Sequence, residues 1–390
     1  MGQNNRAGIL VEIKRAVRWL NLWGRRHGFK LWLVGTLVEL VYSWRCWQKD
    51  KRLAEKLASA TKAEKLPELQ AIPPVSVLVA AWNEAVTIDK HFQTFLELPY
   101  PNIELIICAG GTDDTLARAR HYEGERVKVL AQLPGEGKQR ALARCLAHAK
   151  GELIYLTDAD CLYDYPAMLA LLAALINQGE AVATGRFSPL PGQRHHPFVS
   201  HQWAVDSYVR AHAGPYIGGL IGRNAALTRK ALETSEALTQ VIAIGTDYYL
   251  AKRLIRLGYC IRYVHESVVP TGYHTRFGPY LRQQTRWLRN IVVHGFLFGE
   301  SREVRKALAN CGVGLVAVAL PLTGPLSRWF WLTGLGFVSF NRLRYLKFAQ
   351  LCGQPVPWQA FVTAPFYAAL DLGMLAYAGL NILFQRRNQW

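Results

Sequence analysis

The sequence predicts an α/β domain built on a mainly parallel sheet, with membrane-associated helices at both ends. Three observations predict it. From Val75 onward, short runs rich in β-branched and aliphatic residues alternate with helical stretches, the pattern of a parallel sheet covered on both faces. Before and after this region the chain is strongly apolar. The positive charge gathers beside those apolar segments: residues 1–50 carry nine Lys/Arg against three acids, residues 301–390 nine against two, and the 250 residues between them contribute only +5 of the total +18. A basic nucleic-acid binder would carry its charge on the folded domain, so that class is disfavoured. Cations flanking apolar helices suit a membrane with an anionic cytoplasmic surface.

In order along the chain, "ILVEIKRAVRWLNLW" (9–23) places Ile9, Ile13, Val17 and Leu20 at helical spacing, as in a helix lying in the membrane interface. "FKLWLVGTLVELVYSWRCW" (29–47) is apolar, Trp-rich and marginally long enough to span a bilayer. Residues 1–48 are therefore expected to be interfacial or transmembrane helices, and 49–72 a charged linker. The region 73–300 is the expected cytoplasmic catalytic domain. In it "VSVLVAA" is a strand, Glu84 to Glu97 a helix, "IELIICA" a strand, Asp113 to His121 a helix, "VKVLAQ" a strand, Gly137 to Ala149 a helix, and "ELIYLTDAD" a strand. Residues 301–390 hold two apolar blocks with internal Pro, separated by "NRLRYLK". Keeping residues 1–28, that loop and the final "RRNQW" on the cytoplasmic side predicts re-entrant or hairpin helices rather than a row of simple spans. Seven cysteines without a C-x-x-C pair fit reducing cytosol, and no cleavable signal peptide is expected.

The chemistry concentrates at strand ends. "TDAD" puts Asp158 and Asp160 just past a buried strand, where α/β sheets place ligands. Two hard carboxylates there suit Mg2+ or Mn2+ carrying a phosphorylated substrate. An isolated D-x-D is as readily a turn. Asp247 alone reads as a helix start before "YYLAKRL", Arg286 and Trp287 alone as a juxtamembrane anchor, Asn83 and Glu84 as an ordinary helix start, and Lys138 as a solvated lysine.

Taken together, "VAAWNEA" (79–85), "GGTDDT" (110–115), "GKQRAL" (137–142), "TDAD", "GTDYYLAKRL" (245–254) and "RQQTRW" (282–287) resemble, in order and spacing, the family-two inverting glycosyltransferases. The resemblance is to the membrane-integrated branch that includes cellulose, chitin and hyaluronan synthases and ceramide-type lipid glucosyltransferases. It covers roughly residues 73–300 and implies a GT-A-like domain. It also implies that Asn83, Glu84, Asp113, Lys138, Asp158, Gln283 and Arg286 bind the nucleotide sugar, that Asp158 and Asp160 hold the metal, that Asp247 is the general base, and that Trp287 faces the acceptor. Two departures stand out. Cys108 and Ala109 replace the carboxylates that usually open the second loop, which weakens the inference of uridine, and Gly245-Thr246-Asp247 replaces T-E-D.

The chemistry of the motif set is coherent without the family. A base must take the acceptor's proton, while a cation and Arg286 stabilise the departing diphosphate. The motif set thus points to a metal-dependent, membrane-bound transferase moving a sugar to a lipid acceptor, and the resemblance implies glucose from a uridine diphosphate sugar as the default donor. A short segment after Trp287, about a hundred residues, and the lack of a V-T-x-K-like gating loop favour the lipid over the alternative, a growing polysaccharide. A non-catalytic scaffold or channel partner is the reading from another class. The oligomeric state is not legible.

Overall fold

The computed structural model describes residues 2–61, 66–240, 242, 245–322 and 324–384, with the side chains of 2–14, 17, 20, 21, 58–61, 325 and 326 excepted. It divides into two compact units. One holds Ser59–Thr275 and Val293–Gly299; the other holds the chain up to Ala58, Arg276–Val292 and the chain from Glu300 onward.

The first unit is the α/β domain. Strands β1 (Val75–Trp82), β2 (Ile103–Gly110), β3 (Val127–Ala131), β4 (Leu153–Leu156), β5 (Val182–Pro189), β6 (Ala225–Thr228) and β7 (Arg262–Thr271) form one sheet in the order β3-β2-β1-β4-β6-β5-β7. All neighbours are parallel except β6, which runs antiparallel to β4 and β5. The alternation predicted the β1 to β4 half. The reversed β6 has no separate signal in the sequence.

Residue alternation along the strands builds a core on each face. Val75, Val77 and Val79 of β1 and Leu105 and Ile107 of β2 point to one side, against Phe92 and Phe95 of α2 (Ile88–Leu96) and Met168 and Leu172 of α5 (Tyr165–Ile176). Leu78, Ile106 and Ile154 point to the other, against Leu142 and Cys145 of α4 (Gly137–His148) and Leu250 and Leu254 of α8 (Thr246–Arg256). Burial on both faces is why these strands read as continuous apolar runs. Each fully buried phenylalanine contributes roughly 1.5–3 kcal/mol. β1 leads outward to β2 and β3 on one side, while β4 lies on its other side. The C-terminal ends of β1 and β4 therefore flank the point where strand order reverses, the usual ligand crevice of such sheets.

In the second unit, residues 2–61 form one 60-residue helix, α1 (Gly2–Thr61), where two helices and a linker were expected. The segment "KRLAEKLASAT" is rich in strong helix formers and carries the helix on, and buried Asp50 meets Arg344 at 2.8 Å. Of the expected interfacial helix, the faces of Ile9, Ile13, Val17 and Leu20 lie outside the described residues, as does the final "RRNQW". Leu33, Val34, Leu37, Val38 and Trp44 are exposed along α1, an apolar surface of the kind that marks lipid or protein contact. Then come α9 (Phe277–Leu297), which belongs to this unit up to Val292, α10 (Ser301–Ala319), α11 (Pro325–Leu351) and α12 (Trp358–Phe384). α10 and α12 approach closely through Gly314, where an added Cβ would sit 2.5 Å from the Ala376 nitrogen. Small residues at helix contacts allow this. Among the described residues two segments, Ser301–Leu322 and Trp358–Phe384, are long and apolar enough to cross a membrane by length and composition.

Candidate active site

β4 stops at Leu156, earlier than the predicted strand through Asp160, because the chain turns: the Cys161 N–H donates to the Asp158 carbonyl at 3.1 Å. The turn is fastened to the end of β7 by Leu162 N–H to Pro270 O (2.8 Å) and Gly272 N–H to Asp160 O (3.2 Å). Beneath it lies His91 of α2, fully buried, with Nδ1 2.8 Å from the Cys161 carbonyl and Nε2 2.9 Å from the Tyr163 hydroxyl. Burial lowers its pKa to about 4, so the ring is neutral near pH 7. A neutral ring makes both contacts in one tautomer, with Nδ1–H donating to the carbonyl and Nε2 accepting from the phenol.

The two carboxylates of the turn meet two cations. Lys138 Nζ lies 2.7 Å from Asp158 Oδ1 and 3.3 Å from Asp247 Oδ1. Arg223 Nε lies 3.3 Å from Asp158 Oδ2, and its Nη2 3.8 Å from Asp160 Oδ2. Lys138 sits at the start of α4, Asp247 in the first turn of α8, and Arg223 just before β6. Asp247 is thus not the helix cap that it would be in isolation: its carboxylate turns to Lys138 and packs on Gly222, where a Cβ would come within 2.3 Å of its carboxyl carbon. Burial would raise the pKa of Asp158, but the charges of Lys138 and Arg223 outweigh it and hold the carboxyl down to about 2. Asp160 moves the other way, raised by burial and by Asp158 against the pull of Arg223.

Glu84 belongs to the same cluster. Burial, then the charge of Asp160, push it up to about 7, although the Thr87 hydroxyl donates to it at 3.0 Å. Four carboxylates, Glu84, Asp158, Asp160 and Asp247, face two cations. Among the described residues no three metal-binding side chains form a self-sufficient cage. This donor set suits a divalent cation that takes one or two carboxylates and completes its shell with phosphate oxygens and water. Asp158 is already shared between Lys138 and Arg223, which leaves Asp160 the freer oxygen donor.

Asn83 and Asp113 are occupied differently. Asn83 takes a left-handed conformation (φ 60°), and its Oδ1 accepts the Thr112 N–H at 2.7 Å. Asp113 accepts from the Thr115 hydroxyl (2.5 Å) and N–H (3.0 Å) and from the Ala85 N–H (3.2 Å). The Thr115 hydroxyl bond leads in holding its pKa low. These two side chains tie the loop after β1 to the loop after β2. Cys108 and Ala109 are fully buried in β2.

The structure therefore brings together Glu84, Lys138, Asp158, Asp160 and Asp247, with Asn83 and Asp113 bracing the adjoining loops. Gln283, Arg286 and Trp287 lie on α9, in the stretch that belongs to the other unit. Sequence reasoning missed Arg223 and Gly222 of "LIGRNAAL". The one available signal was a glycine and a charge just ahead of a short, mostly apolar run, a place where backbone or side chains approach closely.

Residues 76–235 match the family model described as Glycosyl transferase family 2. The chain is 26% identical over 241 residues to the "Probable glycosyltransferase YdaM" of Bacillus subtilis, covering 57% of this chain and 56% of that protein. It is 24% identical over 239 residues to an "N-acetylglucosaminyltransferase" of Mesorhizobium japonicum, covering 56% of each. The chain thus spans about half the length of these curated relatives. Among solved structures, a mannosyltransferase from Pyrobaculum calidifontis in complex with GDP-Man and Mn2+ is 17% identical, with a TM-score of 0.49, covering 94% of this chain and 99% of that one.

Proposed function

We propose that this chain, whose residues 76–235 form a glycosyltransferase family 2 domain, is a membrane-associated inverting transferase. It moves one sugar, glucose by default, from a nucleotide diphosphate sugar, uridine diphosphate by default, to a lipid hydroxyl. The observation that carries the reading is the Lys138 bridge: one ammonium joins the candidate metal carboxylate Asp158 to the candidate base Asp247. A donor's diphosphate and the acceptor's hydroxyl would then meet in one cluster.

In this mechanism the acceptor oxygen attacks the anomeric carbon from the face opposite the diphosphate. The new carbon–oxygen bond forms as the bond to the diphosphate breaks, and the electron pair leaves with the phosphate. Asp247 takes the hydroxyl proton. Lys138 and Arg223 hold the carboxylates apart and aligned before substrate arrives, which is the preorganisation that electrostatic catalysis requires. Asp158 and Asp160 would hold Mg2+ or Mn2+, which supplies charge neutralisation at the leaving phosphate. Arg286 offers a planar fork for a phosphate oxygen pair and Trp287 a flat wall for a sugar.

Two features support a bilayer setting and a lipid acceptor: the two helices long enough to cross a membrane and the exposed apolar face of α1. The growing-polysaccharide alternative needs a polar path through the terminal helices. Asp371, the clearest polar residue there, is already paired with Arg342 and lies 3.4 Å from the Tyr280 hydroxyl. A non-catalytic scaffold would have no need to keep Asp158, Asp160 and Asp247 in one cluster. Purified chain given a panel of nucleotide sugars and a lipid extract should release free nucleoside diphosphate and yield a glycolipid of one added sugar by mass. A long glycosidase-sensitive polymer made without lipid would overturn the acceptor assignment.

A further inference from the structure

His91 and Thr94, three residues apart on α2, share one face of that helix. His91 is fully buried, and so are its helix neighbours Ile88, Phe92 and Phe95. Its ring lies 4.7 Å from that of Tyr163 and meets Phe92 edge-on at 6.2 Å. An apolar side chain would suit that packing. Histidine adds two hydrogen bonds, from Nδ1 to the Cys161 carbonyl at 2.8 Å and from the Tyr163 hydroxyl to Nε2 at 2.9 Å. The Thr94 hydroxyl accepts the Tyr163 N–H at 3.1 Å. The helix therefore holds the backbone at Cys161 and at Tyr163, directly after Asp160. From the other side, β7 holds the same segment through Leu162 N–H to Pro270 O and Gly272 N–H to Asp160 O. The turn that presents the two carboxylates is clamped between a strand and a helix.

The same helix carries the loop after β1. At its start the Thr87 and Ile88 N–H groups both donate to the Glu84 carbonyl at 3.0 Å, and the Thr87 hydroxyl donates to the Glu84 carboxylate at 3.0 Å. The His91 N–H then donates to the Thr87 carbonyl at 3.2 Å. One turn of helix thus separates the loop of Asn83 and Glu84 from the side chain that holds Cys161. Phe92 and Phe95 pack that helix into the core of the sheet, so the two loops share one rigid support.

We propose that His91 is a positioning residue: through the Cys161 carbonyl it sets the Asp158–Asp160 turn, and through α2 it couples cation binding at that turn to nucleotide binding at the loop of Asn83 and Glu84. It acts on the carboxylates by way of the turn's backbone, as an outer partner that orients metal ligands, a kind whose loss costs about 10–100-fold in metal affinity or activity. The cation and the nucleotide rest on the transferase reading above; the clamp on the turn does not.

The test titrates Mn2+ into the full chain in detergent by electron paramagnetic resonance, with and without uridine diphosphate, and reads the ratio of the two affinities. In wild type the nucleotide should tighten Mn2+ at least tenfold. His91→Leu keeps the bulk and loses the donor, and it should cut that ratio about tenfold. His91→Asn puts an amide N–H near the place of Nδ1 and should restore most of the ratio. Tyr163→Phe leaves the Cys161 bond in place and should stay near wild type. If His91→Leu does not fold, Thr94→Val, an isosteric change at a half-buried residue, removes the other bond from α2 to the turn and should lower the ratio in the same direction. A histidine that only fills the core would lower the melting temperature of its variants and leave the ratio unchanged, and that result overturns the proposal. Equal loss in His91→Leu and His91→Asn overturns it too, since packing and not the hydrogen bond would then be responsible. Absence of Mn2+ binding by wild type would count against the transferase reading instead, and the clamp is then read without metal. Amide hydrogen exchange across residues 158–164 should speed up in His91→Leu relative to exchange in β1, and unchanged exchange there overturns the clamp.

Discussion

Replacing Lys138 with methionine removes the cation between Asp158 and Asp247 and keeps much of the side chain's bulk. Asp158 is held at about 2 against an ordinary 3.8, and its side chain is 25% exposed. A depression of that size corresponds to roughly 2 kcal/mol of folding stability at neutral pH. Lys138 and Arg223 share it, so the lysine's part is roughly 1 kcal/mol after discounting for its own partial exposure. The sign follows from a folded pKa below the unfolded one: the contribution is complete above pH 4 and disappears as pH falls from 4 to 2. Calorimetric melting of the full chain in detergent should place Lys138→Met about 2–4 °C below wild type at pH 7. Between pH 4 and 2 the gap should close, because wild type loses what the variant already lacks. Turnover should fall as well, since Asp247 loses the ammonium that positions it. A gap in melting temperature that stays constant from pH 7 to pH 2 would refute the electrostatic role given to this bridge.

Asp247→Asn should lose about 10²-fold or more in turnover while the donor still binds by calorimetry; loss of donor affinity with turnover intact would assign it another role. Gly222→Ala places a methyl 2.3 Å from the Asp247 carboxyl carbon, and displacing that group by about 1 Å should cost on the order of 10² in turnover; full activity would show that the carboxylate need not lie there. Arg286→Lys keeps charge but loses the fork, so it should remain impaired, and Trp287→Ala should harm acceptor use more than donor hydrolysis. Equal effects on both reactions would contradict that division.

How much of this was legible in the sequence follows from the range of the interactions. β1, β2 and β4 were readable because each buries both faces and so writes itself as an apolar run, and the half-exposed edge strand β3 because Val127 and Val129 alternate with Lys128. β6 was not, since "AALT" is too short to carry a direction and its pairing with β4 and β5 is set by contacts distant in sequence. The carboxylates Asp158, Asp160 and Asp247 stood out through their order and spacing with the other motifs, not through residue type, since Asp is common at strand and helix ends. Their partner Arg223 did not, because a lone arginine has no periodicity and acquires its role only when β6 is laid beside β4. Asn83 and Asp113 differ: a motif reading assigns them to the nucleotide, while in the fold each accepts a backbone N–H from the neighbouring loop, Thr112 to Asn83 and Ala85 to Asp113. The unbroken α1 was hidden by composition, because a Trp-rich apolar stretch and a charged stretch look like different elements although both favour helix.

In the proposed function the Asp158–Asp160 turn holds a divalent cation together with a nucleoside diphosphate. Binding of Mn2+ to the full chain, titrated by electron paramagnetic resonance with and without uridine diphosphate, tests it most directly. Wild type should bind Mn2+ weakly alone and at least tenfold more tightly with the nucleotide, since the phosphates complete the coordination. Asp160→Asn, still folded by its melting profile, should lose that nucleotide-dependent binding. Equal Mn2+ affinity in wild type and Asp160→Asn, with or without the nucleotide, would show that this turn does not hold the cation.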